Sequence, residues 1–355
     1  MRINTLKKVN FEYAFLLLSL ILTIAGVILV FNIFLGYQEK VYEKTFEFNG
    51  LKIEQNIYSD NAQKASRNVQ NSIESALLEL SLENKDSQIS KLNNNAGKEW
   101  VEISSGVFSI LSKSLEVCSK TDGIFDITVL PLFESYQKKI KTNGQLNRED
   151  LQDLKNFVGY KNLKLNQDVL RAKLLKEGAK VGLDLISSGS CCVLALNEYR
   201  KMGVQAGFIK VGNSAGVWGA KKKLDPFKFQ IVEAPVDSRQ TNNNDTAIIV
   251  NLYSGCISTK FASNETVLLT DKENFGSVAK NEIASATVIH ENGTVSDALA
   301  LACLAAGKDE SFKLLSKFDA KGILVLKDKK ILISQSIEKK SVEVANNYFL
   351  IEQEN

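Results

Sequence analysis

The chain has 355 residues, of which 44% are hydrophobic and 24% are charged, with only three prolines. This composition excludes a chain that is disordered as a whole and predicts an ordinary globular fold of one or two domains. Lysine and arginine number 44 and aspartate and glutamate 41, which leaves a formal net charge of +3. Because this charge is so nearly balanced, we expect no nucleic acid among the partners.

The rare residue types limit the kinds of metal site and covalent cross-link that the chain can form. His290 is the single histidine of the chain, so zinc motifs that need two histidines are excluded within it. The five cysteines contain no CxxC pair, and we expect buried apolar thiols in preference to disulfides or metal ligands.

An uncharged apolar segment runs from Tyr13 to Gln38. It is longer than the roughly 20 apolar residues that cross a bilayer, and no signal-peptide cleavage site follows it. We therefore expect residues 1–12 in the cytoplasm and an uncleaved transmembrane helix over residues 13–38. The basic residues favour a large domain on the outer side of a bacterial cytoplasmic membrane. The alternative is a long helix buried in a protein core.

After this segment, residues 39–45 are expected to form a charged stalk, and the alternation from Thr45 to Ile57 predicts a first strand. Apolar residues recur at helical spacing over residues 61–80 and 104–119, which predicts two amphipathic helices. The polar residues 84–98 between these helices are expected to form a loop.

The second half of the chain mixes short helices and strands. Helices are predicted over residues 146–158, 188–202 and 296–306, strands within 163–175 and over 206–211, 227–235, 246–254, 265–271 and 285–289, and a hairpin over 323–333. These patterns predict one α+β domain over residues 46–340, with largely antiparallel strands and flanking helices, and a tail over residues 341–355.

Three segments keep their residue types in an order that packing alone does not require. They are SQISKLNNNAG at residues 87–97, TDGIFDITVLPL at 121–132, and SATVIHENGTVSDALALACLAAG at 285–307. Together they resemble the family of FAD:protein FMN transferases known as ApbE. The resemblance runs from about Phe46 to Lys327 and implies the mixed α/β fold of that family.

The segment at residues 121–132 carries the most specific part of the resemblance. It matches the family pattern Thr-x-Gly-x-Phe-Asp-x-Thr-x-x-Pro-Leu at every marked position. On the residues alone, Gly123 makes a turn and Phe125 fills the core. The resemblance implies in addition that this loop, including Asp126 and Thr128, borders the flavin. The two interpretations are compatible.

Two further segments match the family in part. Its Ala-Lys-Gly-Tyr-Ala-x-Asp element aligns with residues 187–193, where the glycine is kept and the lysine, tyrosine and aspartate are absent. Ser187, Ser188 and Gly189 at a helix start still predict a phosphate cradle of main-chain N–H groups. The family's Gly-Gly-Asp/Asn element appears here as Gly-Asn-Ser, and a ligand is expected to approach closely at Gly212.

The last family motif implies a magnesium site, because it places an aspartate and a threonine at i and i+4 on one helix face. Here the pair is Asp297 and Leu301, and leucine offers no oxygen ligand. Asp297 is therefore the expected ligand of a weakened Mg²⁺ site, or alternatively it caps its own helix. A family element with histidine and proline has no counterpart between Thr259 and Gly276, and for His290 we expect a surface or capping role.

Two functions stay open at this point. The resemblance implies a transferase that moves FMN from FAD to a threonine or serine of an exported flavoprotein, with Mg²⁺ on the diphosphate. The substituted lysine, threonine and histidine positions leave room for an inactive relative that binds flavin or is a structural partner of a membrane redox complex. A site without these groups would lose transition-state stabilisation before it loses binding, so the sequence does not decide between turnover and binding alone.

Overall fold

The computed structural model of the chain describes residues 19–27, 41–141, 153–221, 224–232, 246–262 and 282–351. It divides into two compact units, residues 1–40 and 41–355. Most of the predicted membrane span lies outside the described residues, although residues 19–27 within it are helical and exposed. Among the residues that are described, no helix combines the length and the apolar character that crossing a bilayer requires. The anchor therefore stays a prediction.

The second unit begins with a hairpin. β1 (Tyr42–Phe48) pairs antiparallel with β2 (Leu51–Tyr58) across Asn49 and Gly50. These turn residues have φ values of 50° and 74°, the conformation that an Asn-Gly pair adopts readily in a two-residue hairpin turn. The prediction of one strand over residues 45–57 is therefore wrong. The residues of the expected stalk from Tyr42 onward belong to β1.

The later elements alternate along the chain. The strands are β3 (Val101–Glu102), β4 (Leu163–Asn166), β5 (Arg171–Leu174), β6 (Ala206–Val211), β7 (Ser214–Gly219), β8 (Phe227–Val232), β9 (Thr246–Leu252), β10 (Gly255–Phe261), β11 (Ile283–His290), β12 (Lys321–Leu326), β13 (Lys330–Ile333), β14 (Val342–Val344) and β15 (Phe349–Ile351). The helices are α1 (Ala62–Leu80), α2 (Gln88–Asn94), α3 (Ser105–Lys120), α4 (Leu130–Lys141), α5 (Ser187–Lys201), α6 (Gly293–Ala306) and α7 (Lys308–Ser316).

A large sheet organises these elements. Over the described ranges its strand order is β1-β2-β6-β7-β10-β11-β12-β13-β15, and its pairs are antiparallel except for the parallel pair β13 and β15. Two smaller antiparallel sheets, β14-β9-β8 and β3-β5-β4, complete the strands. The predicted α+β class with largely antiparallel strands is confirmed.

The large sheet is covered on both faces. Helices α5 and α6 pack on one face, with α1 against α5. Strands β8 and β9 pack on the other face and share a buried apolar cluster with it. The alternation of side chains within β10 shows the division, because Cys256 belongs to the cluster with α5 and the next residue, Ile257, to the cluster with β8 and β9.

Most predicted helices and strands are confirmed, and several of their boundaries differ from the predicted ones. The predicted strand 206–211 is β6, and the helix predicted over 188–202 is α5. The expected loop 84–98 contains helix α2, and α6 begins at Gly293, three residues earlier than predicted. The expected tail contributes β14 and β15 to the sheets. Residues 146–152 and the strand predicted at 265–271 lie outside the described residues.

Candidate functional site

Helices α5 and α6 begin against each other. A Cβ built on Gly189 would lie 2.1 Å from the carbonyl oxygen of Gly293, and one built on Gly293 would lie 2.3 Å from that of Gly189. Beside this contact the hydroxyls of Ser190 and Thr294 are 2.9 Å apart and share a hydrogen bond. Only residues without a side chain permit backbones to approach so closely. The two helix N-termini therefore meet at one point.

Asp297 lies at this junction and is fully buried. Its Oδ2 accepts a hydrogen bond of 2.7 Å from the main-chain N–H of Gly189, and its Oδ1 accepts one of 2.8 Å from the hydroxyl of Ser214. The ammonium of Lys260 lies 2.9 Å from the same Oδ1. A buried carboxylate needs both hydrogen bonds and a counter-charge, and Asp297 has them.

Asp297 does not cap its own helix, so that expectation is wrong. The side-chain oxygen of Asn292 caps α6 by accepting from the N–H groups of Thr294 and Val295. Asp297 lies in the second turn of α6 and accepts from the first turn of α5. A carboxylate at that place stabilises the positive end of the α5 dipole.

Lys260, on β10, was not singled out from the sequence. Its Nζ donates to the carbonyl oxygen of Leu185 at 2.5 Å in addition to its ion pair with Asp297. Its side chain is 16% exposed, whereas that of Asp297 is completely covered. The available signal is its position in a largely buried strand, because a charged residue there is rarely buried unless it is paired.

The residues present do not fit a Mg²⁺ ion at Asp297. Leu301, one turn further along α6, is buried in the apolar core and offers no oxygen. The carboxylate oxygens of Asp297 already accept hydrogen bonds from Gly189 and Ser214, and the carboxylate is paired with the Lys260 ammonium. No group of three or more His, Cys, Asp or Glu side chains suited to a metal occurs in the described part of the chain. An ammonium group holds the position at which the family motif implies a cation.

The predicted phosphate cradle surrounds this carboxylate. The hydroxyl of Ser187 donates to the carbonyl oxygen of Asp184 at 2.8 Å. Ser188 is half-buried, and a Cβ built on Gly212 would lie 3.6 Å from its hydroxyl oxygen. Three of the predicted residues, Ser188, Gly189 and Gly212, thus come together. One main-chain donor of the cradle, at Gly189, already binds a carboxylate of the protein, and contact with phosphate stays a prediction.

The loop at residues 121–132 has the two structural features expected of it. Gly123 has a φ of 74°, and its N–H donates to the carbonyl oxygen of Cys118 at 2.7 Å, which ends α3. Phe125 is 6% exposed and belongs to the core around α6. The turn and the core role are therefore confirmed.

The side chains of Asp126 and Thr128 form a clamp inside the same loop. Asp126 Oδ1 accepts from the N–H and the hydroxyl of Thr128 at 2.8 and 2.6 Å, and its Oδ2 accepts from the N–H of Tyr160 at 2.9 Å. The Thr128 hydroxyl also accepts from the N–H of Gly159 at 2.7 Å. These contacts tie residues 126–128 to the turn at 159–160, and contact with a flavin stays a prediction.

Two hollows are lined by residues next to Lys260 or in contact with it. One of about 30 Å³ is lined by Leu185 together with Phe125, Asp126 and Leu301, and the carbonyl oxygen of Leu185 accepts from the Lys260 ammonium. The other, of about 160 Å³, is lined by Thr259 and Phe261 on β10 together with residues of β8, Lys210 and Asn213. Because side chains alternate along a strand, Thr259 and Phe261 point to the face of β10 opposite Lys260.

The cysteines and the histidine do not belong to this site as reactive groups. All five cysteines are buried thiols, as expected. Burial raises the pKa values of Cys191 and Cys256 to about 12, and the nearby charge of Asp297 acts in the same direction. His290 is half-buried, and its Nδ1 accepts from the N–H of Asn292, the residue that caps α6. A supporting role at the helix start agrees with the expectation for His290.

Comparisons with known proteins agree with this architecture. A model of the ApbE family matches residues 49–325. The ApbE protein of Thermotoga maritima has 22% sequence identity and a TM-score of 0.70, over 84% of this chain and 98% of that protein. The apo flavinyl transferase ApbE of Pseudomonas stutzeri has 18% identity and a TM-score of 0.68, over 81% of this chain and 91% of that protein.

The flavin transferase ApbE from Vibrio cholerae is similar at 16% identity and a TM-score of 0.70, over 84% of this chain and 98% of its own. No curated protein matched the chain. At such identities the structural likeness shows the fold, while the family model covers most of the chain. This chain therefore belongs to the ApbE family.

Proposed function

We propose that this protein transfers FMN from FAD to a threonine or serine hydroxyl of an exported flavoprotein, and that it acts while anchored at the bacterial cytoplasmic membrane. The observation that carries the proposal is the junction of α5 and α6. There Gly189, Gly293 and Asp297 bring two helix N-termini together beside the ammonium of Lys260.

The electrostatics of the junction suit a dinucleotide. Each helix N-terminus carries a partial positive charge, which favours a phosphate group nearby, although Asp297 and Asn292 already accept from some of its main-chain donors. Lys260 adds a full positive charge, and Asp297 offsets it. A diphosphate beside Lys260 would have the flavin on one side of it and the adenosine on the other, in an extended ligand.

The proposed reaction is a transfer at phosphorus. The acceptor hydroxyl oxygen attacks the FMN phosphorus, the bond from that phosphorus to the bridging oxygen breaks, and AMP leaves with the electron pair. The hydroxyl proton passes to water, and FMN stays attached by a phosphodiester. In transfers of this kind the protein contributes mainly positioning and stabilisation of developing charge.

A second candidate is a family member that binds flavin without turnover, or that serves as a structural partner of a membrane redox complex. The observation in its favour is the state of Asp297, whose oxygens are occupied by three protein donors, with Leu301 in place of a hydroxyl residue. A site without a divalent cation loses transition-state stabilisation more than ground-state binding.

One assay separates the two candidates. The full-length chain, purified in mild detergent, is incubated with FAD, Mg²⁺ and an apo-flavoprotein subunit, and the acceptor mass and AMP are measured. We expect an acceptor heavier by one FMN unit and stoichiometric AMP, and neither with an acceptor whose threonine or serine is replaced by alanine. FAD binding without product, beside an active control transferase, would favour the second candidate. Absence of both binding and product would exclude the transferase and the flavin-binding relative and leave only the role of a structural partner.

The membrane side has its own test. Lys327 is exposed in the turn after β12, and the native thiols are all buried, so Lys327→Cys adds one accessible thiol. We expect a membrane-impermeant maleimide to label this variant on intact cells and to leave the unmodified chain unlabelled. Labelling that occurs only after lysis would place the domain in the cytoplasm.

A further inference from the structure

The ammonium of Lys260 lies against two oxygen atoms from different parts of the chain. It lies 2.9 Å from a carboxylate oxygen of Asp297 and 2.5 Å from the main-chain carbonyl oxygen of Leu185. Both are hard oxygen donors of the kind that Mg²⁺ prefers. The lysine reaches them from β10, a different element from either acceptor.

We propose that Lys260 is the resident cation of this site, and that its ammonium binds the diphosphate of FAD directly, so that the dinucleotide is held without a divalent metal. The inference rests on the proposed flavin function for the identity of the ligand. The replacement of the metal by the lysine is a separate claim about this chain and has its own test.

The geometry of the ammonium supports contact with a ligand. A lysine ammonium has three N–H donors; one of them donates to the carbonyl oxygen of Leu185, and the charge pairs with Asp297 at 2.9 Å. At least one further N–H has no acceptor among the residues that the structure describes, and 16% of the side chain is exposed. A compact ammonium group of this kind is a common phosphate ligand in proteins.

The charges argue against a second cation. Asp297 and Lys260 neutralise each other, and the N-termini of α5 and α6 already contribute partial positive charge. A divalent ion would have to approach the ammonium closely and take carboxylate oxygens that accept from Gly189 and Ser214. A tethered lysine competes for Asp297 at a high effective concentration, so a metal ion in solution is at a disadvantage.

The first test measures metal binding and needs no activity. Mn²⁺ is titrated into the full-length chain in detergent and bound metal is followed by electron paramagnetic resonance. We expect no stoichiometric Mn²⁺ site in the unmodified chain and one site in the variant Lys260→Ala combined with Leu301→Thr, which vacates the position and adds an oxygen ligand. Stoichiometric Mn²⁺ binding by the unmodified chain would overturn the inference.

The second test measures FAD affinity by flavin fluorescence, in EDTA and in excess Mg²⁺. We expect the same affinity in both for the unmodified chain, and binding about 10- to 100-fold weaker for Lys260→Met, which corresponds to one lost charged hydrogen bond. The matched control is Lys201→Met, which removes an exposed ion pair with Glu198 at the far end of α5. This control is expected to bind FAD normally.

A double variant separates ligand contact from a structural role. Lys260→Met leaves a buried carboxylate unpaired and is liable to misfold, whereas Lys260→Met with Asp297→Asn removes both charges and keeps the shapes. If Lys260 contacts the diphosphate, the folded double variant binds FAD as weakly as Lys260→Met. If the ion pair is only structural, the double variant binds FAD like the unmodified chain, and the inference is wrong.

Failure of the inference and failure of the proposed function give different results. Tighter FAD binding in Mg²⁺ by about tenfold or more in the unmodified chain would contradict the metal-free site and leave the flavin function standing. No FAD binding under any condition would contradict the flavin function, and with it the diphosphate contact. In that case the Mn²⁺ titration still decides whether Lys260 holds the place of a metal.

Discussion

The main-chain N–H of Gly189 donates a hydrogen bond of 2.7 Å to Oδ2 of Asp297. This contact joins the first turn of α5 to the second turn of α6, and it places a negative charge at the start of α5. An anion that binds there meets a helix end that is already neutralised in part. The positive charge available to it is that of Lys260, which stands on the more exposed side of the same carboxylate.

Because α5 and α6 approach so closely, adding even a methyl group at their contact is expected to lower stability. Gly189→Ala and Gly293→Ala would each place a methyl group within 2.3 Å of a carbonyl oxygen, so the helices must separate. We expect each substitution to lower the free energy of unfolding by about 1–3 kcal/mol. Urea unfolding followed by circular dichroism measures the change.

Gly106→Ala is the control for these substitutions. Gly106 lies in the first turn of α3, and a Cβ built on it would have the hydroxyl oxygen of Ser104 as its nearest neighbour, at 3.7 Å. Alanine suits a helix better than glycine, so this variant is expected to lose no stability. Equal stability of Gly189→Ala and Gly106→Ala would show that the junction is looser than its interatomic distances indicate.

The clamp in the loop 121–132 predicts that removing the Thr128 hydroxyl lowers global stability and also loosens the backbone locally. Thr128→Val removes the hydroxyl that donates to Asp126 and accepts from Gly159, and it keeps the shape of the side chain. Because the half-buried N–H of Gly159 is left without this acceptor, we expect a loss of about 1–3 kcal/mol in the free energy of unfolding. Hydrogen exchange at the Gly159 amide should also become faster.

Thr45→Val on the exposed side of β1 is the matched control, and it should leave both quantities unchanged. Unaltered exchange at Gly159 in Thr128→Val would contradict the clamp, whatever the global stability of the variant.

Burial of the thiols predicts low reactivity. The pKa values of Cys191, Cys256 and Cys303 are raised to about 12, chiefly by burial, so very little thiolate is present at pH 8. With Ellman's reagent at that pH we expect a slow reaction of the native chain and five thiols per chain after denaturation in guanidinium chloride. A native thiol that reacts as fast as glutathione would be evidence against this packing.

His290 predicts a dependence of stability on pH. Burial lowers its pKa, with Glu291 and Glu116 opposing the shift and Lys113 adding to it. The unfolded chain therefore binds a proton more readily than the folded one. Above the unfolded pKa of about 6.5 the histidine is neutral in both states and does not lower the free energy of unfolding. As the pH falls from there toward the lower folded pKa, its protonation favours the unfolded state.

The measurement for this prediction is the free energy of unfolding from pH 5 to pH 8 for the unmodified chain and for His290→Asn. Asparagine keeps a side-chain acceptor for the N–H of Asn292 and does not titrate in this range. We expect the difference between the two proteins to be constant above about pH 7 and to shift in favour of the variant below about pH 6.5. If the free energies of unfolding of the two proteins ran parallel over the whole pH range, the prediction would be wrong.

Local patterns predicted local structure well where a long periodic segment carried them. The strand over 206–211 and the helix that begins near residue 188 match the structure closely. Helix α2 was missed because it is short and has few apolar residues among polar ones. The predicted start of α6 at residue 296 is three residues late, because α6 begins at Gly293, where tertiary contact brings α5 and α6 together.

By itself the sequence determined the α+β class, the turn at Gly123 and the core position of Phe125, because these depend on neighbours a few residues away. The tertiary structure alone decided the partners of Asp297. Gly189, Ser214 and Lys260 reach it from a helix and two strands that are distant in the chain, and no spacing in the sequence encodes that meeting. A buried charge is compensated by whatever the fold brings within about 3 Å of it, and that is a property of packing and not of order along the chain.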